Sequence, residues 1–144
     1  MIDHNINVLN SVTKTLIDSC NGYDACVEIS GENYALKTEF LRRKSERHKL
    51  VQEFQNQVRE LGGQPATGGS MAGAVHRGFT RFTSFFRDDE TAAIAALDDG
   101  EEFLAEKIED KLEYHDLSAQ ASDLLNKAMI SAKSGERFAD MMAS

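Results

Sequence analysis

Residues 62–69 read Gly62-Gly63-Gln64-Pro65-Ala66-Thr67-Gly68-Gly69, four glycines and the only proline of the chain within eight positions. Glycine loses the most backbone freedom on ordering, and proline lacks the N–H that a helix interior needs, so no regular element crosses this run. On both sides of it the apolar residues recur at spacings of three and four, the period of a helix face. No stretch alternates with the period of a strand. The break therefore divides an all-α chain into two halves, and each half reads as two helices.

Upstream, the second helix is expected from Tyr34 to Leu61, with Leu36, Phe40, Lys44, Arg47, Val51, Phe54, Val58 and Leu61 along its inward stripe. That stripe is apolar at its ends and basic in its middle. Ser30-Gly31-Glu32-Asn33 precedes it as a short turn, with a glycine suited to a helix end and an asparagine suited to an N-cap. The first helix is expected from Ile6 to Ile29, inward at Leu9, Val12, Leu16, Cys20, Tyr23 and Val27. So short a link makes the two helices antiparallel neighbours.

Downstream, Ser70 is a cap for a helical segment over 70–87 with Met71, Val75, Phe79, Phe82 and Phe86 on one face. Such a segment spans about 25 Å and would return the chain along the bundle. Asp88 or Asp89 caps a third helix, Glu90 to Tyr114, with the stripe Ile94, Leu97, Glu101, Leu104, Ile108 and Leu112. Asp116 or Ser118 starts a fourth helix that runs to Met142. Its stripe of Ala121, Leu125, Ala128, Ala132, Gly135, Ala139 and Met142 is small enough for close helix approach. The expected fold is a four-helix bundle of two antiparallel pairs, joined by a long crossover containing a short helix. Residues 1–144 are expected to form a single domain, since 144 residues suffice for one hydrophobic core.

The net charge of −8 is unevenly spread. Residues 37–49 hold six basic and two acidic side chains, whereas residues 88–116 hold twelve acids against Lys107 and Lys111. The basic run has an internal or inter-subunit counterpart in the acidic run, and the overall acidity argues against nucleic acid as a partner. There is no basic and apolar leader, and no apolar run approaches the ~20 residues that span a bilayer. The expected compartment is the cytoplasm, with no membrane contact. Cys20 and Cys26, six residues apart on one helix, lie too far apart for a bridge to each other. They are expected to be reduced, with an inter-chain bridge through Cys26 left open. No Ser stands in a nucleophile-elbow pattern, and residues 62–69 lack the lysine and hydroxyl of a phosphate-binding loop. His76 beside Arg77, His48 in the basic run and His115 at a helix boundary read as packing, solvated and capping residues.

The order of residues resembles a family of small, uncharacterised bacterial proteins with a ferritin-like four-helix bundle. The resemblance rests on Val8-Leu9-Asn10 with Gly22-Tyr23, then Glu53-Phe54-Gln55 and Val58-Arg59-Glu60-Leu61-Gly62-Gly63. It continues through Gly69-Ser70, Ala74-Val75-His76-Arg77-Gly78-Phe79 and Gly100-Glu101-Glu102. It covers nearly the whole chain and implies a distant relation to the rubrerythrin and ferritin group. No activity is established for the family as a class.

Bundles of the ferritin group hold two metal ions with two Glu-x-x-His pairs and two further glutamates. This chain has no Glu-x-x-His. Cys20 stands about where a glutamate ligand is expected, Lys49 follows Glu46 in place of histidine, and Ala139 follows Glu136. Glu101 alone fits the pattern. Lys44, Arg47 and Glu101 fall near mid-height on the inward stripes. They read either as a salt-bridge cluster standing in for a metal cage or, with the helices slightly rotated, as solvated side chains. The first functional expectation is a metal-free, cofactor-free and non-enzymatic bundle that acts by association, most simply as a homodimer, in a structural or stress-related role. The alternative is a metal-binding or oxidoreductase-like protein with a non-standard carboxylate site at Glu46, Glu101 and Glu136.

Overall fold

The computed structural model describes residues 2–69, 90–113 and 116–143. Four helices fill them: α1, Ile2–Ser30; α2, Tyr34–Glu60; α3, Glu90–Leu112; and α4, Ala119–Ala143. No strand occurs among the described residues. The crossover segment over 70–87, with its phenylalanines and His76, lies outside them, as does His115.

The helix ends follow from local chemistry. Ser30 closes α1, Gly31 takes a positive φ of 54°, and the Asn33 side chain caps α2 by accepting from the Leu36 N–H at 3.2 Å. At the far end of α2, Gly62 has φ 84°. Its N–H bonds the Arg59 carbonyl, and the Gly63 N–H bonds the Val58 carbonyl, both at 2.9 Å. That pair of bonds with a left-handed glycine is a Schellman close. Ser118 caps α4 through the Ala121 N–H, and its own N–H is held by Asn5 of α1. α1 begins at Ile2, four residues before the expected start, with Asp3 in its first turn favouring the positive helix end.

α1 packs on α2 and α3, and α4 packs on α3 and α2. Along the α1–α3 contact, Tyr23 meets Glu101 and Thr15 meets Lys107. Along the α2–α4 contact, Arg43 meets Ser134, Arg47 meets Ser131 and Glu53 meets Lys127. Both contacts are antiparallel, so α2 and α3, on opposite corners, point the same way. The glycine-rich link lies on α1: Gly63 is against Ile6, and Asn10 bonds both the Gln64 carbonyl and the Ala66 N–H.

The core has two apolar parts. One joins Leu9, Val12 and Leu16 to Leu50, Phe54, Val58, Leu104, Ile108, Leu125 and Ala128. The other joins Tyr23 and Cys26 to Leu36, Phe40, Ile94, Leu97, Phe138 and Ala139. Burial of each large side chain contributes about 1.5–3 kcal/mol. On α2 and α3 the inward positions between the two parts are charged: Arg43, Arg47 and Glu101.

Candidate functional site: a buried ion-pair layer

Each helix contributes to this polar layer. Arg47 of α2 lies between Phe40 and Leu50 on the inward face, and Glu101 of α3 lies between Leu97 and Leu104. Both side chains are 1% exposed. The guanidinium grips the carboxylate with two bonds, Nη1 to Oε1 at 2.7 Å and Nη2 to Oε2 at 2.8 Å. This is the fork geometry that makes arginine–carboxylate pairs strong. Its remaining donors are used as well. Nη1 donates to Ser19 Oγ of α1, and Nε and Nη2 donate to Ser131 Oγ of α4 at 3.3 and 3.1 Å. The Tyr23 hydroxyl donates to Glu101 Oε2 at 2.9 Å, and the Arg47 Cζ lies 5.7 Å from the Tyr23 ring centroid. Ser131 in turn donates to Glu46 Oε1 at 2.8 Å, which carries the network to the surface.

Gly135 makes room for this pair. A Cβ there would stand 1.6 Å from Glu101 Oε2 and 2.6 Å from its Cδ. The stripe of small residues on α4 thus serves a charged side chain as well as helix approach.

Electrostatics favour the charged guanidinium of Arg47 and the protonated phenol of Tyr23. Burial works against the charge on Arg47, but the hydrogen bonds and negative charge of Glu101 outweigh it and hold the guanidinium above its ordinary range. Burial pushes the Tyr23 phenol far up, and the Glu101 charge and hydrogen bond push it further, so it remains a donor. The Cys20 thiol is pushed up to about 11 by burial, with Arg47 partly offsetting it. Burial and then Glu101 push Cys26 up to about 12. Neither is a thiolate nucleophile at neutral pH.

The predicted residues separate. Arg47 and Glu101 come together at the centre. Lys44 does not join them: it is half-buried and pairs with Asp24 of α1. The inward spacing runs Phe40, Arg43, Arg47, Leu50, Phe54, so Arg43 takes the position assigned to Lys44. Arg43 lies over the Phe138 ring at 4.7 Å and bonds Glu39 and Ser134. Glu46 is exposed and reaches the layer only through Ser131. Glu136 is half-buried, with Oε2 enclosed, lacking a hydrogen-bond partner among the described residues and lying 3.7 Å from Lys133 Nζ. Sequence reasoning missed Ser19, Ser131 and the inward turn of Arg43. No signal in the sequence marked the two serines, and Gly135 on α4 faces Glu101 rather than any of the three.

These residues do not fit a metal pair. The central carboxylate is already engaged on both oxygens by a cation, and that cation would repel a metal ion in the same space. No group of three His, Cys, Asp or Glu side chains suited to a metal occurs among the described residues.

A second electrostatic feature lies on the α3–α4 contact. Asp98 is pushed up to about 6 by burial, a hydrogen bond with Asp140, and the charges of Asp140, Glu136 and Asp99. A carboxyl whose folded pKa lies above its unfolded value near 4 binds more protons folded than unfolded between those values. It therefore costs stability above about pH 6, and the cost disappears as pH falls toward 4. Asp98→Asn is expected to raise the thermal midpoint at pH 7 and leave it unchanged near pH 4. Added salt should shrink the difference. Melting curves of both proteins at several pH values check this, and an equal gain at pH 4 and pH 7 would contradict it.

No helix among the described residues is long and apolar enough to cross a membrane. No curated protein and no solved structure matches the chain. Residues 4–114, which take in most of α1 and all of α2 and α3, match the family model DUF2383, a domain of unknown function, and the chain belongs to that family.

Proposed function

We propose that this chain is a ferritin-like bundle, one domain over residues 1–144, that holds no metal or cofactor and works in the cytoplasm by association rather than catalysis. Its role is structural or stress-related, its simplest assembly is a homodimer, and neither nucleic acid nor membrane is a partner. The shared direction of α2 and α3 supports the ferritin-like order, because a chain leaving α2 at one end of the bundle has to reach the other end to begin α3.

The observation that carries the metal-free reading is the Arg47–Glu101 pair at mid-height, where the ferritin group holds its ions. Metal analysis of the protein purified without chelators tests it. The expected content of iron and manganese is far below one ion per chain. Stoichiometric iron or manganese would overturn the reading in favour of an oxidoreductase-like or storage protein using Glu46, Glu101 and Glu136. The one observation on that side is the enclosed Glu136 oxygen without a hydrogen-bond partner among the described residues.

A further inference from the structure

We propose that the outer face of α4 centred on Ile130 is the contact face for a second copy of this chain, docked antiparallel across a two-fold axis. The proposal rests on the self-association proposed above and assigns it a surface.

Ile130 sits at the middle of α4 and is 70% exposed, as much as any large apolar side chain described. Beside it a cavity of about 340 Å³ opens between α2 and α4, with Leu50 and Ser134 on its walls and Lys49, Glu53 and Lys127 on its rim. The rim charges include both signs, and Lys127 already pairs with Glu53. A strongly acidic or strongly basic partner gains nothing from such a rim.

The nearest charges on this face, Lys127 and Lys133 one turn to either side of Ile130, already have Glu53 and Glu136 of their own chain as partners, and the charges two turns out complement each other. Asp123 stands seven positions before Ile130 and Arg137 seven positions after it. Seven residues are two helical turns, so all three lie on one stripe, with each charge about 10 Å from the isoleucine. Asp123 and Arg137 are exposed, and neither has an ion pair with a described residue. A two-fold axis through Ile130 reverses the second helix, places isoleucine on isoleucine, and sets Asp123 opposite the partner's Arg137. The reciprocal pair forms at the other end. This is the isologous arrangement, in which residue i meets j and j meets i. The opposite orientation, parallel helices in register, would set like charges against each other.

Charge reversal tests the arrangement without touching the core. Asp123→Arg alone sets two arginines against each other at both ends, and Arg137→Asp alone does the same with two aspartates. Each variant should dimerise at least roughly tenfold more weakly than the parent. Mixed in equal amounts, the two variants regain opposite pairs at both ends and should sediment as a dimer again. Circular dichroism of each variant should match the parent, since both positions face solvent. A parent dimer that survives either single reversal, or variants that stay apart when mixed, would overturn this face and leave self-association standing. A parent that sediments as a monomer at tens of micromolar would overturn both.

Discussion

Glu101→Ala is expected to lower the unfolding free energy by about 3–5 kcal/mol, the cost of leaving a buried ion without its partner. The removed carboxylate accepts two bonds from Arg47 and one from Tyr23, and it is 1% exposed. Its loss strands a guanidinium that keeps only the Ser19 and Ser131 oxygens, and a phenol with no acceptor. Replacing Arg47 and Glu101 together with methionine and leucine should cost far less, or stabilise the fold, because neither charge then needs desolvation. Urea unfolding of the two single variants and the double variant measures the coupling. A coupling near zero would mean that water reaches both charges and that the pair does not hold the centre.

Gly135→Ala should destabilise the fold by a similar amount, about 3 kcal/mol, for a reason that runs against helix propensity. Alanine in a helix interior is ordinarily better than glycine by about 1 kcal/mol. Here the added methyl would overlap Glu101 Oε2, and the carboxylate would have to abandon its two-bond grip on Arg47. The background reverses the sign. In a protein already carrying Glu101→Ala, the obstructing oxygen is gone, and Gly135→Ala should be neutral or stabilising. If Gly135→Ala costs the same in both backgrounds, the overlap is with α3 as a whole and not with this one side chain.

The architecture was legible because backbone-level signals are strong. Gly62, Gly63 and Pro65 cannot continue a helix, and Gly31 with Asn33 can end one and begin the next, so the ends of α2 follow from residue type. The apolar stripes placed most core residues on their inward faces but left out Val8, Cys26, Leu50 and Phe138, and Met142, assigned to the end of the α4 stripe, is exposed in the last turn of its helix, beyond the apolar core. The centre was half legible. Glu101 and Arg47 stood on inward stripes, and charged residues there require partners. Lys44 and Arg43 are adjacent to each other on α2, so a rotation of one residue decides which turns inward. Aromatic neighbours decided it: Phe138 of α4 supplies a ring face that a guanidinium covers, while Asp24 of α1 draws Lys44 outward. The hydroxyls of Ser19 and Ser131 left no mark in the sequence, because serine is as common on solvent faces as in buried networks. What Gly135 accommodates emerges only when α3 and α4 are brought together.

The polar layer also fixes how the two halves of the bundle slide past each other. The apolar positions repeat at intervals of seven: Leu9 and Leu16, Val51 and Val58, Leu97 and Leu104, Leu125 and Ala132. A pair of helices displaced along the other by seven residues, about 10 Å, would still set apolar rows on apolar rows. Such a misalignment is nearly silent to hydrophobic burial. It is not silent to charge, because Arg47 belongs to the first hairpin and Glu101 to the second. A seven-residue slip sets Glu101 level with Phe40 or Phe54 and Arg47 level with Ile94 or Ile108, at a cost of several kcal/mol per ion. One arginine and one glutamate thus act as a single tooth and notch, selecting one vertical setting from a ladder of otherwise similar ones.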